Sequence, residues 1–289
     1  MIVIYNPTAG RRRKQLLWRV LDVLAHAGVR LQLVETQHAG HAAQLAREAA
    51  ERGARLVVAA GGDGTIADVA NGLTGSDTLL GVIPLGTANV LAHELSLPFR
   101  PHAVASALAF GRTRTLWPGV VRDQRGERLF VQMVGVGLDA EVVRRLSAPM
   151  KRLLGRGAYV LQTMRELARY GYPPIRLRAD GAEMTAASAI VSKGRLYAGR
   201  YTLAPAASST EPGFTLALFE HSGPVAAVLY AGALPLNLLP FAPGVRLLRA
   251  RRVEFHGNEA IVAQADGDPV GMTPLQVFDA AAPIQVVVT

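Results

Sequence analysis

Residues 56–73 read LVVAAGGDGTIADVANGL, and the fold of the first part of the chain turns on how they divide. Leu56 to Ala60 is an uninterrupted apolar run, the signature of a buried strand. Gly61-Gly62-Asp63-Gly64-Thr65 breaks it, and helical spacing resumes at Ile66. A strand, a glycine turn and a helix suit an anion, because the first N–H groups of the helix point outward and its dipole adds partial positive charge. A plain turn accounts for one glycine and for Asp63 as a helix cap. It leaves the other glycines unexplained, and close approach of the backbone to a polyphosphate explains them. Asp63 is then the puzzle, since a carboxylate repels phosphate.

Working outward, the same alternation recurs. Ile2 to Tyr5 reads as a strand, followed by the turn NPTAG and a helix from Lys14 to Ala27. Arg30 to Glu35, Gly40 to Gly53, Leu80 to Pro84 and Ala103 to Phe110 continue as strand, helix, strand and helix. This βαβα order predicts a mainly parallel sheet covered on both faces, with ligands beyond the carboxyl ends of the strands. NPTAG (6–10), GGDGT (61–65) and PLGTAN (84–89) all fall on that rim. Beyond Arg114 the pattern becomes short strands separated by turns, among them Thr115 to Arg122, Leu129 to Val136, Phe214 to Phe219 and part of Leu275 to Thr289. The expectation is an α/β lobe over 1–115 and an antiparallel β-sandwich lobe over 116–289. Helical insertions are expected from Ala140 to about Tyr170 and around Val225 to Leu239.

Composition narrows the function. The chain has 289 residues, 50% of them hydrophobic, a formal net charge of +9 and no cysteine. Disulfides, thiolate metal sites and cysteine nucleophiles are excluded. The positive charge suits an anionic partner, but scattered arginines and few aromatics argue against nucleic acid. The N-terminal MIVIYNPTAG does not resemble a signal peptide and reads as the first strand. Ser222 to Val245 carries no charge, but prolines interrupt it too often for a membrane span. It reads either as a helix buried in the β lobe or as a membrane-docking element backed by Arg246, Arg249, Arg251 and Arg252. Arg144, Arg145, Lys151, Arg152 and Arg156 form a second basic candidate. The Walker loop, the lipase elbow and the zincin motif are absent, and the seven histidines lack metal-ligand spacing. Gly135 to Ala140 fits a dinucleotide-type glycine pattern, but without its acidic partner it marks tight strand-to-helix packing instead.

Taken together, NPTAG, GGDGT, VANGL (69–73), PLGTAN, GVGLDAEV (135–142), YTLAPAAS (201–208) and ADGD (265–268) resemble, in one order, the soluble lipid kinase family. That family comprises bacterial diacylglycerol kinase-like enzymes, with sphingosine and ceramide kinases as relatives. The resemblance implies a nucleotide-binding lobe like those of NAD kinases and diacylglycerol kinases, a β-sandwich lobe, and transfer of the γ-phosphoryl group of ATP to a lipid hydroxyl with Mg²⁺. It implies that Asn6, Gly10, Thr36, Gly61, Gly62, Gly64, Thr65, Gly86, Thr87 and Asn89 bind the nucleotide. Asp63, Asp266 and Asp268 would be catalytic, with Asp63 and Asp266 organising metal and waters and Asp266 or Asp268 taking the proton.

A membrane lipid substrate and transient contact with the inner face of the membrane from the cytoplasm follow from the resemblance; no nucleic acid partner is expected from the composition, and a homodimer stays open. Three positions depart from the family pattern: Asp68 and Asp268 stand where glutamate is usual, and Val90 where aspartate often follows. The alternatives are a catalytically silent nucleotide or lipid sensor, and an NAD kinase.

Overall fold

The computed structural model describes residues 1–9, 14–145, 166, 169–257 and 259–289. Gly10, Lys151, Arg152, Arg156 and most of the helical insertion expected after Ala140 lie outside the described residues. Two compact units are present: 1–118 with 280–289, and 119–279.

The first unit runs β1 (Ile2–Tyr5), α1 (Lys14–His26), β2 (Gln32–Glu35), α2 (His41–Glu51), β3 (Leu56–Gly61), α3 (Asp63–Leu73), β4 (Leu79–Pro84), α4 (Val90–Glu94), α5 (Pro101–Phe110) and β5 (Arg112–Leu116). Strands β2, β1, β3 and β4 pair in parallel in that spatial order. The order reverses between β1 and β3, so NPTAG and GGDGT leave the sheet on either side of a topological switch point. Both faces of β1, β3 and β4 are covered, which is why these strands are apolar throughout, while the edge strand β2 carries Gln32 and Glu35 at its exposed ends. Val3, Tyr5, Val58, Ala60 and Ile83 pack with Leu17, Leu21 and Leu24 of α1 and Val104 and Leu108 of α5. On α3, a Cβ at Gly72 would overlap the backbone of Ala43 and the side chain of Ala46, so these small residues let α2 and α3 pack closely.

The second unit opens with β6 (Gly119–Asp123), β7 (Gly126–Phe130), β8 (Met133–Val136), α6 (Leu138–Arg145), β9 (Ile175–Ala179), β10 (Ala182–Ala186), β11 (Ser188–Ser192), β12 (Leu196–Tyr197) and β13 (Tyr201–Thr202). It continues with β14 (Phe214–Phe219), α7 (Pro224–Ala233), β15 (Val245–Ala250), β16 (Arg252–His256), β17 (Val262–Ala265), β18 (Asp268–Met272) and β19 (Leu275–Asp279). Its two six-stranded sheets have the orders β10-β9-β16-β19-β6-β7 and β15-β14-β11-β8-β17-β18, with antiparallel pairing throughout. Alternate residues of both sheets, such as Leu177, Val253 and Val277 against Val134, Val191 and Leu216, form one core. This is the sandwich the turn spacing predicts.

Three expectations change. The C-terminal residues do not stay in the β lobe: β20 (Ile284–Val288) lies between β4, parallel to it, and β5, antiparallel to it. The strand expected over Leu129 to Val136 is two strands of different sheets, β7 and β8, and so is the one expected over Thr115 to Arg122, divided at Trp117-Pro118 because proline supplies no ladder donor. There Trp117 Nε1 donates to the Ala280 carbonyl (3.1 Å) and Ala280 N–H to the Pro118 carbonyl (3.0 Å). Finally, α7 is not a buried helix: Ala227 is its one buried residue.

Candidate functional site

On the rim of the first unit the three glycine turns are tied to one another. Asn6 N–H donates to the Ala60 carbonyl (3.1 Å), and Thr36 N–H to the Tyr5 carbonyl (2.9 Å). Asn6 Oδ1 accepts from the Thr8 N–H (3.0 Å) and hydroxyl (2.8 Å), and its Nδ2 donates to Thr65 Oγ1 (3.1 Å). The turn after β1 is thereby fastened to the first turn of α3. The amides of Leu85 and Gly86 both donate to the Gly61 carbonyl, at 2.9 and 3.2 Å.

The glycines have packing reasons that need no phosphate. A Cβ on Gly61 would overlap the Thr65 side chain, and one on Gly86 would sit 2.5 Å from the Gly62 Cα. Two backbones therefore touch where β3 and β4 hand over to their helices. Gly64 lies within the first turn of α3, and Thr87 is exposed beside Gly86. Thr36 reaches the rim at the end of β2, and the contacts described for it are those of its backbone.

Asp63 answers the opening puzzle. Its carboxylate is turned toward α4, where the Leu91 N–H donates to Oδ1 (3.1 Å). Burial pushes its pKa above the usual carboxylate value, and the amides of Leu91, Val90, Asp63 itself and Asn89 oppose that rise. Asp63 thus serves as a cap supplied from the first turn of α3, since α4 has no capping side-chain bond of its own. Asn89, at φ 48°, is fully buried, and its Nδ2 donates to the Gly86 carbonyl (2.8 Å). Its Oδ1 has no partner.

This rim fits a nucleotide phosphate. The first N–H groups of a helix have no acceptor within it, and those of α3 lie among loops kept bare of side chains. The orphaned Asn89 oxygen is an acceptor, so it suits a water or a donor group of a ligand and not the phosphate itself.

The acidic turn of the second unit lies between β17 and β18. Asp266, at φ 51°, accepts three backbone N–H bonds, from Val131 (2.7 Å), Gln132 (2.8 Å) and Met133 (2.9 Å). Its own N–H donates to the Met133 carbonyl (3.0 Å). An ionised carboxylate offers about four acceptor sites, so Asp266 is largely spent on holding the β7–β8 connection. Asp268, two residues on, is different. Its side chain is 46% exposed and meets the Arg128 guanidinium at 3.2 Å.

Beneath this turn is a network the sequence reading missed. Gly267 N–H donates to Gln264 Oε1 (2.8 Å), and Gln264 Nε2 donates to Asp139 Oδ2 (2.7 Å). The Tyr197 hydroxyl donates to Asp139 Oδ1. Burial raises the Asp139 pKa, against the hydrogen bonds from Tyr197 and Gln264. Gly135 is bare because a Cβ there would overlap the Asp139 carboxylate. The strand-to-helix glycine pattern is thus a packing device, as its missing acidic partner suggests. The aspartate inside it was the available signal of something more.

Among the described residues no cluster of three or more His, Cys, Asp or Glu could hold a metal. Mg²⁺ beside a nucleotide usually takes only one or two carboxylates and completes its shell with phosphates and water. Asp63 faces backbone donors, so on the nucleotide-binding unit it fits a hydrogen bond to a metal-bound water better than direct ligation.

Comparison with known proteins agrees with both units. Residues 1–121 match the diacylglycerol kinase catalytic domain, and residues 132–288 match the YegS C-terminal NAD kinase beta sandwich-like domain. A "Probable lipid kinase YegS-like" protein of Chromohalobacter salexigens is 31% identical over 89% of this chain and 82% of its own. A diacylglycerol kinase of Bacillus subtilis is 31% identical over 94% of this chain and 90% of its own. The crystal structure of a diacylglycerol kinase from Bacillus anthracis str. Sterne has the same fold, with a TM-score of 0.74 at 19% identity, over 100% of this chain and 96% of that one.

Proposed function

This chain belongs to the bacterial diacylglycerol kinase-like lipid kinase family, and from that premise we propose that it moves the γ-phosphoryl group of ATP to the hydroxyl of a membrane lipid. The supporting observation is the presence on one chain of both family domains, the first with the interlocked glycine rim. Diacylglycerol is the first acceptor to test, with ceramide or another sphingoid lipid next.

In this reading the α3 amides, Asn6, Thr65 and the Gly86-Thr87 turn hold the nucleotide's phosphates. A divalent metal bound with ATP supplies charge neutralisation on the phosphate oxygens. Asp63 would orient a water of that metal, within the acceptor capacity that its bond from Leu91 leaves. The lipid oxygen forms a bond to the γ-phosphorus as the bond from that phosphorus to the β,γ-bridging oxygen breaks. ADP departs, and the hydroxyl proton passes to Asp268. Asp268 suits that role better than Asp266 because it is exposed and carries no backbone clasp. Aspartate is one methylene shorter than the glutamate usual at this position, so a water between it and the lipid hydroxyl is part of the proposal.

The test is a labelled-ATP assay in mixed micelles against a panel of lipids, with products identified by mass spectrometry. Phosphatidic acid from diacylglycerol is the expected product. Absence of any phosphorylated lipid would overturn the proposal, and phosphorylation of NAD instead would favour the NAD kinase alternative.

A further inference from the structure

We propose that the outward side of α7 and the turn that follows it, as far as Phe241, docks into the surface of a lipid bilayer, lying in the interface without crossing it. The proposal rests on the lipid kinase reading and names the surface through which the enzyme would reach its substrate.

The segment has two distinct sides. Inward, Tyr230, Ala233, Leu234 and Leu239 pack on Met133, Ala217 and Phe219 at the outer face of the second sheet. The Tyr230 hydroxyl donates to the Pro243 carbonyl (3.2 Å), and Thr202 N–H donates to Asn237 Oδ1 (2.7 Å). The segment is therefore anchored at several points. Outward, Val225, Val228 and Leu229 follow helical spacing, and Leu236, Leu238 and Phe241 continue the apolar surface along the turn. Leu229 is 65% exposed and Phe241 79%. Water therefore meets large apolar side chains on an element already fixed by others, the arrangement that marks an interaction site.

Three observations select a bilayer as the occupant. From His221 to Val245 there is no Asp, Glu, Lys or Arg, so nothing charged must be desolvated on entry. The helix has 10 residues, about 15 Å at the usual rise, and no helix among the described residues is long and apolar enough to cross a membrane. A protein partner would require a rim of directional polar groups, whereas the turn's Asn237 already spends its oxygen on Thr202. A bilayer makes no such demand. Two cations follow on β15, at Arg246 and Arg249. Arg246 and Arg249 lie 3.3 and 3.5 Å from Glu220 and Glu211, in exposed pairs that lose little when exchanged for lipid phosphate.

The test uses the full chain with vesicles of phosphatidylcholine, with and without phosphatidylglycerol. The double variant Leu229→Asp/Phe241→Asp is expected to weaken vesicle co-sedimentation by about tenfold or more, since shallow binding scales with buried apolar area. Its phosphorylation of a monomeric short-chain diacylglycerol should match the parent's. Phe241→Trp, which keeps the surface apolar, should shift its emission to shorter wavelength on adding vesicles and be quenched by brominated lipid. Overturning results are unchanged co-sedimentation of the double variant, absence of vesicle binding by the parent chain, or a parent dimer that the double variant dissolves while vesicle binding persists. A parent that binds vesicles through this surface but phosphorylates no lipid would instead sink the lipid kinase reading and leave the docking surface standing.

Discussion

Asp63 and Asp266 sit in similar words of the sequence, GGDGT and ADGD, yet their surroundings differ. Asp266 receives three backbone amides at 2.7–2.9 Å and gives its own amide back to Met133, so its charge is matched where it stands. Asp63 has its Leu91 contact at 3.1 Å, and burial holds its pKa above the ordinary carboxylate value despite the amides around it. One aspartate is a satisfied brace. The other is kept in place at an electrostatic cost, and such perturbed groups concentrate at working sites. An aspartate followed by glycine is therefore not one signal but two.

The largest effect should come from Asp63→Ala. Turnover is expected to disappear, while stability falls by only about 1 kcal/mol, the scale of a lost helix cap. Steady-state kinetics beside urea unfolding measure both, and a variant that retains turnover would erase the distinction between the two aspartates. Next is Asp268→Asn, expected to lower kcat by roughly 10²- to 10⁴-fold, the range for a lost proton acceptor. Its stability should remain within about 0.5 kcal/mol of the parent's, as for an exposed side chain. If kcat holds, Asp268 is not the base.

Asp266→Ala should show the reverse profile in unfolding experiments. Three amides lose a charged acceptor at once, for a loss of about 3 kcal/mol or more. A melting curve that does not move would return Asp266 to the list of catalytic candidates.

The smallest effect is one of pH. Asp63 and Asp139 both have folded-state pKa values raised above the usual 3.8, chiefly by burial. Between the unfolded and folded values the native protein binds more protons than the unfolded chain, so stability falls as pH rises through that window. The stabilising contribution is complete below the unfolded value and lost above the folded one. The unfolding free energy of the parent relative to Asp139→Asn should therefore decline as pH rises from near 3.8. A flat difference would show that Tyr197 and Gln264 fully compensate the burial of Asp139.

Much of this molecule was readable in its sequence because the relevant signals are local. Periods of 3.6 and 2 along the chain separate the α/β segment from the antiparallel one, and glycine clusters at strand ends mark the rim where a nucleotide-binding lobe does its work. The uncharged run after Ser222 stood out as well, although not which way it faced. Harder to read were the pairings that join distant residues. Nothing local to Ile284–Val288 says that this strand returns to lie between β4 and β5. Nothing in ADGD announces the amides of 131–133, and Gln264 meets Asp139 across 125 positions of sequence.

By itself, then, the sequence determined the kinds of element, their order, the two classes of sheet and the family to which the motifs belong. All of these follow from short-range sterics, hydrophobic periodicity and residue type. Only the tertiary structure decided which carboxylate is clasped and which is exposed, why Gly62 and Gly86 must both be bare, and which side of α7 faces water. Each of those depends on what a distant segment brings to within a few ångströms. Burial and hydrogen bonding, which set a carboxylate's chemistry, come into being only when the chain has folded.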